Sequence, residues 1–150
     1  MKKFSFSLDT VLNYKEQVLD GIKAEHMKVL VKVRKCEDEI DELEKKYNDT
    51  AQEFDFKKTK GMDIHEVHFY DNFLQLLQRQ IARKLEEYDM LKKKEEEKRA
   101  KVVEAKKDCS SIQKLKEKQY EEYRKQEQKE NEQMIEEFVS TKSAFSKFQE

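Results

Sequence analysis

Three histidines and two cysteines are the side chains of this 150-residue chain best suited to metal or redox chemistry, and their spacing argues against both. His65 and His68, in the run DIHEVH, stand three apart and can share a helical face. Helical zinc proteases space their histidines four apart, and a third ligand is missing here. The pair reads as two solvated histidines in the first turn of a helix. No Ser, His and Asp set can be argued, because histidines on a two-helix coil have no cavity in which a pKa can shift. Gly21 and Gly61 lie too far apart for a phosphate-binding loop or a dinucleotide fingerprint, which argues against ATP binding by this chain alone. Cys36 and Cys109 do not make a disulfide framework and read as small apolar side chains on a packed seam. No catalytic, cofactor-binding or metal-binding residue is expected, and no cofactor.

The elements that hold these residues follow from composition and period. Charged residues make up 43% of the chain and apolar ones 36%, without Trp or Pro. That is a poor recipe for a globular core and a good one for long helices sharing a narrow seam. With Leu12 at heptad position a, Leu19, His26, Val33, Ile40, Tyr47 and Phe54 also fall at a. Lys15, Ile22, Val29, Cys36, Leu43 and Thr50 fall at d. Disordered chains do not alternate apolar spacings of three and four, so the pattern argues for a coiled coil. Ser7 is a candidate N-cap, with Asp9 in the first turn.

KKTKG then supplies terminal lysines and Gly61 to end the first helix, and Asp63 with Glu66 can open a second. Val67, Tyr70, Leu74, Leu77, Ile81, Lys84, Tyr88 and Leu91 form its stripe, resumed by Val102, Ala105, Cys109 and Ile112. The intervening KKKEEEKRAK puts Glu95 and Lys98 on the seam, where local looseness is expected. The expected fold is all-α: a single domain over residues 1–150, built as a long antiparallel two-helix coiled coil. Helix one covers about 8–57, the turn about 58–63 and helix two about 64–140, with the tail beyond it frayed. A bend near residue 59 would set Ile40 near Gln78, Cys36 near residue 82 and the start of helix one near residue 110. Helix two then overhangs helix one. Leu115, Tyr120, Tyr123, Met134, Ile135 and Phe138 would lack a helix-one partner, the mark of a partner surface.

The 32 basic and 33 acidic side chains are mixed along the chain, so nothing recommends nucleic acid. No apolar run is long enough to span a bilayer and MKKFSFSLD lacks a signal peptide's apolar core, so a cytoplasmic location without membrane insertion is expected.

FSFSLDTVLNYKE at the start, GMDIHEVHFYDNFLQLLQRQI at the tip and LKEKQYEEYRKQEQKENEQMIEEF near the end together resemble the flagellar export protein FliJ family. The resemblance covers nearly the whole chain. It implies a non-enzymatic, central-stalk-like component of the flagellar type III export apparatus, peripheral at the cytoplasmic face of the basal body. The partners it implies are the ring of the export ATPase FliI, the export gate protein FlhA and flagellar substrate chaperones. By that likeness the two chain termini form the ATPase end. Phe73 and Leu77, flanked by Phe69 and Tyr70, match the apolar pair that engages the gate. Leu77 also sits on the expected seam, so core packing is its alternative role. Leu115, Tyr120, Tyr123 and Phe138 match the ATPase-facing surface, with Phe4, Phe6 and Leu8 covering the adjoining end or, since they alternate before the helix starts, folding back on the seam. Two rival readings are the equivalent stalk of a virulence type III secretion system and a generic coiled-coil scaffold or tether whose tip aromatics are buried.

Overall fold

The computed structural model describes residues 2–149. Two helices, α1 (Asp9–Lys60) and α2 (Ile64–Phe148), form an antiparallel helical hairpin, and no strand occurs among the described residues. Packing divides the chain into two compact units. One joins the residues up to Leu19 to those from Glu104 onward, and the other is Asp20–Val103.

The tip of the hairpin belongs to the second unit, and its geometry follows from the glycine. Gly61 takes φ of 93°, a left-handed conformation open to glycine but strained for other residues, and its amide donates to the Lys58 carbonyl at 3.3 Å. Lys57, Lys58 and Lys60 occupy the last turn of α1, where cations suit the negative end of the helix dipole. The Asp63 carbonyl accepts from the Val67 amide at 3.1 Å and opens α2. The seam of this unit buries Val33, Cys36, Ile40 and Phe54 of α1 with Tyr70, Leu77, Glu95 and Val102 of α2. Phe54 and Tyr70 close it at the tip as stacked rings 5.2 Å apart.

α1 continues past the expected end near residue 57 because Lys58, Thr59 and Lys60 do not break a helix, whereas Gly61 does. The bend is therefore centred on Met62, not near residue 59, and facing partners shift along α2. Gln78 donates to the Tyr47 hydroxyl at 3.1 Å instead of lying near Ile40. The Cys36 thiol meets the Lys84 carbonyl at 3.5 Å, two residues beyond its expected neighbour. α2 runs to Phe148 rather than about 140, because no Gly or Pro follows Gly61 to stop it.

In the first unit, Phe6, Leu12, Ala105 and Cys109 are buried. α1 opens where the Leu8 carbonyl accepts from the Leu12 amide at 2.8 Å, and Asp9 caps a turn onto the Phe6 carbonyl at 3.1 Å. Two ion pairs bind α1 to α2 here, Asp9 with Lys116 at 2.8 Å and Lys15 with Asp108 at 3.9 Å. Both are partly exposed, so they set alignment more than stability.

Candidate functional site

The tip carries an aromatic face whose members divide sharply by exposure. Phe69 is 67% exposed, and its ring stacks parallel on Phe73 at 6.4 Å. Phe73 is half-buried, with the Lys46 ammonium 5.5 Å from its ring centre. Tyr70 and Leu77 turn the other way, into the seam. Tyr70 receives a hydrogen bond from Lys57 at 2.7 Å and donates to Glu53 at 3.0 Å, and Leu77 is only 1% exposed. Leu76, one turn beyond Phe73, is exposed instead. The open face is Phe69, Phe73 and Leu76, at helical spacings of four and three. Leu76 was legible as the next outward position after Phe69 and Phe73, but its adjacency to the seam residue Leu77 hid it.

Lysines sheathe the remaining tip aromatics. Lys58 lies 3.8 Å over the Phe54 ring, Lys57 5.1 Å over Tyr70 and Lys60 4.6 Å over Phe56. Such cation–π contacts shield aromatic faces without removing the charge from water.

The terminal end has a different character. The segment before α1 folds back on α2. Phe4 packs on Tyr120 at 5.2 Å and on Tyr123 at 5.5 Å, and the Tyr123 hydroxyl donates to the Lys2 carbonyl at 2.6 Å. Tyr120 and Tyr123 thus have no partner on α1 but are covered by Phe4 of the segment before it, which folds back as the alternative reading of these aromatics allowed. Leu115 and Tyr120 remain partly exposed at the edge of this patch. Phe138 is 69% exposed and stands about 27 Å farther along the helix than Tyr120 at 1.5 Å per residue, so it is not part of the same patch. Met134, Phe138, Phe145 and Phe148, with Thr141, repeat at alternating four and three and line one exposed face.

A third constellation was not foreseen. Glu95, expected to loosen the seam, is 0% exposed. His26 Nε2 lies 3.0 Å from Glu95 Oε1, and Arg99 approaches the same oxygen through Nη2 at 2.6 Å and Nε at 3.0 Å. A carboxylate only accepts, so the imidazole presents a proton at Nε2. These hydrogen bonds, from His26 first and then Arg99, hold the Glu95 carboxyl below the usual carboxylate range against the opposing effect of burial. Its Oε2 is buried with no hydrogen-bond partner among the described residues. The clue in sequence was a histidine and a glutamate at seam positions of opposite helices.

His65 and His68 are exposed in the first turns of α2, and no three His, Cys, Asp or Glu side chains gather as a metal site among the described residues. Cys36 and Cys109 are both buried with free thiols. Burial, with a smaller push from Glu87, raises the Cys36 thiol above its ordinary value, which keeps it protonated and unreactive. No described helix is long and apolar enough to cross a membrane.

No curated protein and no solved structure matches the chain. A family model described as flagellar FliJ protein matches residues 4–146, from the aromatic segment before α1 almost to the end of α2. The chain belongs to the flagellar FliJ protein family and is a component of flagellar protein export.

Proposed function

We propose that this chain is a stalk-like adaptor that binds the export ATPase FliI, promotes assembly and activity of its ring, and couples it to the export gate protein FlhA. It acts by contact and not by chemistry of its own, at the cytoplasmic face of the flagellar basal body, and it also handles empty substrate chaperones. The observation that carries the reading is the open face of Phe69, Phe73 and Leu76, kept outside a seam that buries Tyr70 and Leu77 beside it. An apolar stripe of this spacing suits docking into a groove, as helical anchors do. This face is assigned to the gate. The ATPase is assigned to the terminal unit, where Leu115 and Tyr120 edge the Phe4-capped patch and Phe138 lies on the exposed stripe farther on. A coil can touch only some subunits of a ring, and binding those subunits better in one state biases the ring towards it.

The test measures ATP hydrolysis and ring assembly by the cognate ATPase with this protein, with Phe69→Ala/Phe73→Ala, and with a chain ending at Arg124. Arg124 lies beyond the last contact of the N-terminal segment with α2, so the truncated chain keeps the hairpin. Stimulation should survive the tip changes and fall on truncation, while gate binding should show the reverse. A folded, intact chain that binds neither partner would refute the reading in favour of a scaffold or tether.

A further inference from the structure

Glu95 is the one charged side chain fully enclosed among the described residues, at a seam position that an aliphatic residue would fill without desolvating a charge. A buried ion pair adds little stability, since lost hydration offsets the attraction, but it penalises any alignment that leaves the charge without its partner. Heptad seams need such a device. Two helices with a 3.5-residue repeat can slide by one heptad and still set apolar rows against each other. In a hairpin that slide moves the bend by about one helical turn and displaces one helix along the other by about 10 Å.

The polar partners of the Asp20–Val103 unit discriminate between these alignments. In the observed register Glu95 meets His26, Lys84 pairs with Glu39, and Lys98 pairs with Glu25 at 3.0 Å. Sliding α1 by a heptad in one direction replaces Glu39 with Lys46 opposite Lys84, Glu25 with Lys32 opposite Lys98, and His26 with Val33 opposite Glu95. Sliding it the other way sets Lys84 against Lys32, and Glu95 again loses its imidazole. Both slips take the imidazole away from the buried carboxylate, leaving it only Arg99 of its own helix, and bring lysine to lysine or lose the cross-helix pair.

We infer that the His26–Glu95–Arg99 cluster, seconded by Glu39–Lys84 and Glu25–Lys98, is a register lock that selects one heptad alignment of the hairpin. The lock also decides what stands beside the aromatic face at the tip. In the observed register Lys46 lies against Phe73, and a one-heptad slip in either direction puts Glu53 or Glu39 in its place. Register therefore sets the sign of charge that a partner meets at Phe73.

Disulfide trapping tests the lock, in a Cys36→Ala/Cys109→Ala background. Glu37→Cys with Tyr88→Cys reports the observed register, in which the two native side chains are hydrogen-bonded at 3.2 Å. Glu44→Cys with Tyr88→Cys, and Leu30→Cys with Tyr88→Cys, report the two slips. The lock is removed by His26→Leu/Glu95→Leu, and more gently by Lys84→Gln/Glu95→Gln, which preserves size. With helix content retained by circular dichroism, at least one slipped cross-link should rise about tenfold or more over the intact lock. Slipped cross-links that stay at the background level in helical variants would overturn the inference. Loss of helix in both variants would overturn it too, since the cluster would then be a stabiliser and not a selector.

Discussion

Leu77 and Phe73 stand one turn apart on α2, yet one lies in the seam and the other on the open face, and alanine at each should separate folding from the proposed docking. Leu77 is 1% exposed in the seam, so Leu77→Ala removes buried methyl groups and leaves a cavity. Such changes cost about 2–5 kcal/mol in well-packed cores, and about 3 kcal/mol is reasonable for a two-helix seam with limited room to collapse. For a chain of this size about 3 kcal/mol lowers Tm by roughly 6–12 °C. Phe69→Ala, on an open surface, should change stability by no more than about 0.5 kcal/mol. If Phe69 and Phe73 anchor the gate, Phe69→Ala/Phe73→Ala should weaken that complex about tenfold or more. The assay is thermal unfolding followed at 222 nm alongside titration of the export gate protein by calorimetry. Leu77→Ala measured below its own Tm should bind within a few-fold of the unmodified chain. A Leu77→Ala chain that keeps its Tm but loses the gate, while Phe69→Ala/Phe73→Ala still binds, would refute the division of roles.

Acid should weaken the hairpin through its paired carboxylates. Glu95 is held low by His26 and Arg99, with Lys92 adding to Arg99 from α2, while Lys84 holds Glu39 low and Lys98 holds Glu25 low. A carboxyl depressed in the folded state adds stability above its unfolded value of about 4.3, and that stability is lost as pH falls through the folded value. The urea midpoint should therefore drop below about pH 4.5, less steeply in Glu95→Gln, and a midpoint that rises on acidification would contradict the pairing. Gly21 lies within α1, and a Cβ there would meet nothing within 4 Å, so Gly21→Ala should stabilise by about 1 kcal/mol in urea unfolding. Cys36 should resist alkylation at pH 8 in the native protein and react at an ordinary thiol rate once unfolded in urea. Fast native labelling of Cys36 would show that the seam opens there.

The all-α hairpin was legible because its cause is local. Leu12 to Phe54 repeat every three or four residues, and no side chain but glycine suits the conformation Gly61 adopts. Alignment was less legible. The bend position depends on how many of Lys58, Thr59 and Lys60 stay helical, and each residue misjudged there moves every facing pair, which is why Ile40 and Cys36 were placed a few residues off. Exposure was least legible, since Phe69, Tyr70, Phe73, Leu76 and Leu77 are one apolar run to the eye, and only the direction of each side chain from α2 sorts anchors from core.

The same limit explains Glu95. Read along one helix, KKKEEEKRAK is an interruption, and propensity says only that the helix survives it. Read across the seam, Glu95 has His26 at 3.0 Å from the other helix and Arg99 at 2.6 Å from its own, and the interruption becomes the most enclosed point of the unit. A single helix's period cannot encode this, because the energy lies in a pair separated by 69 residues. Apolar rows say that two helices will associate and leave several alignments nearly equal, whereas a charge with one correct partner makes them unequal. A seam of leucines alone would give a more stable hairpin with a less defined tip, and the proposed docking of the tip face on the gate depends on that definition.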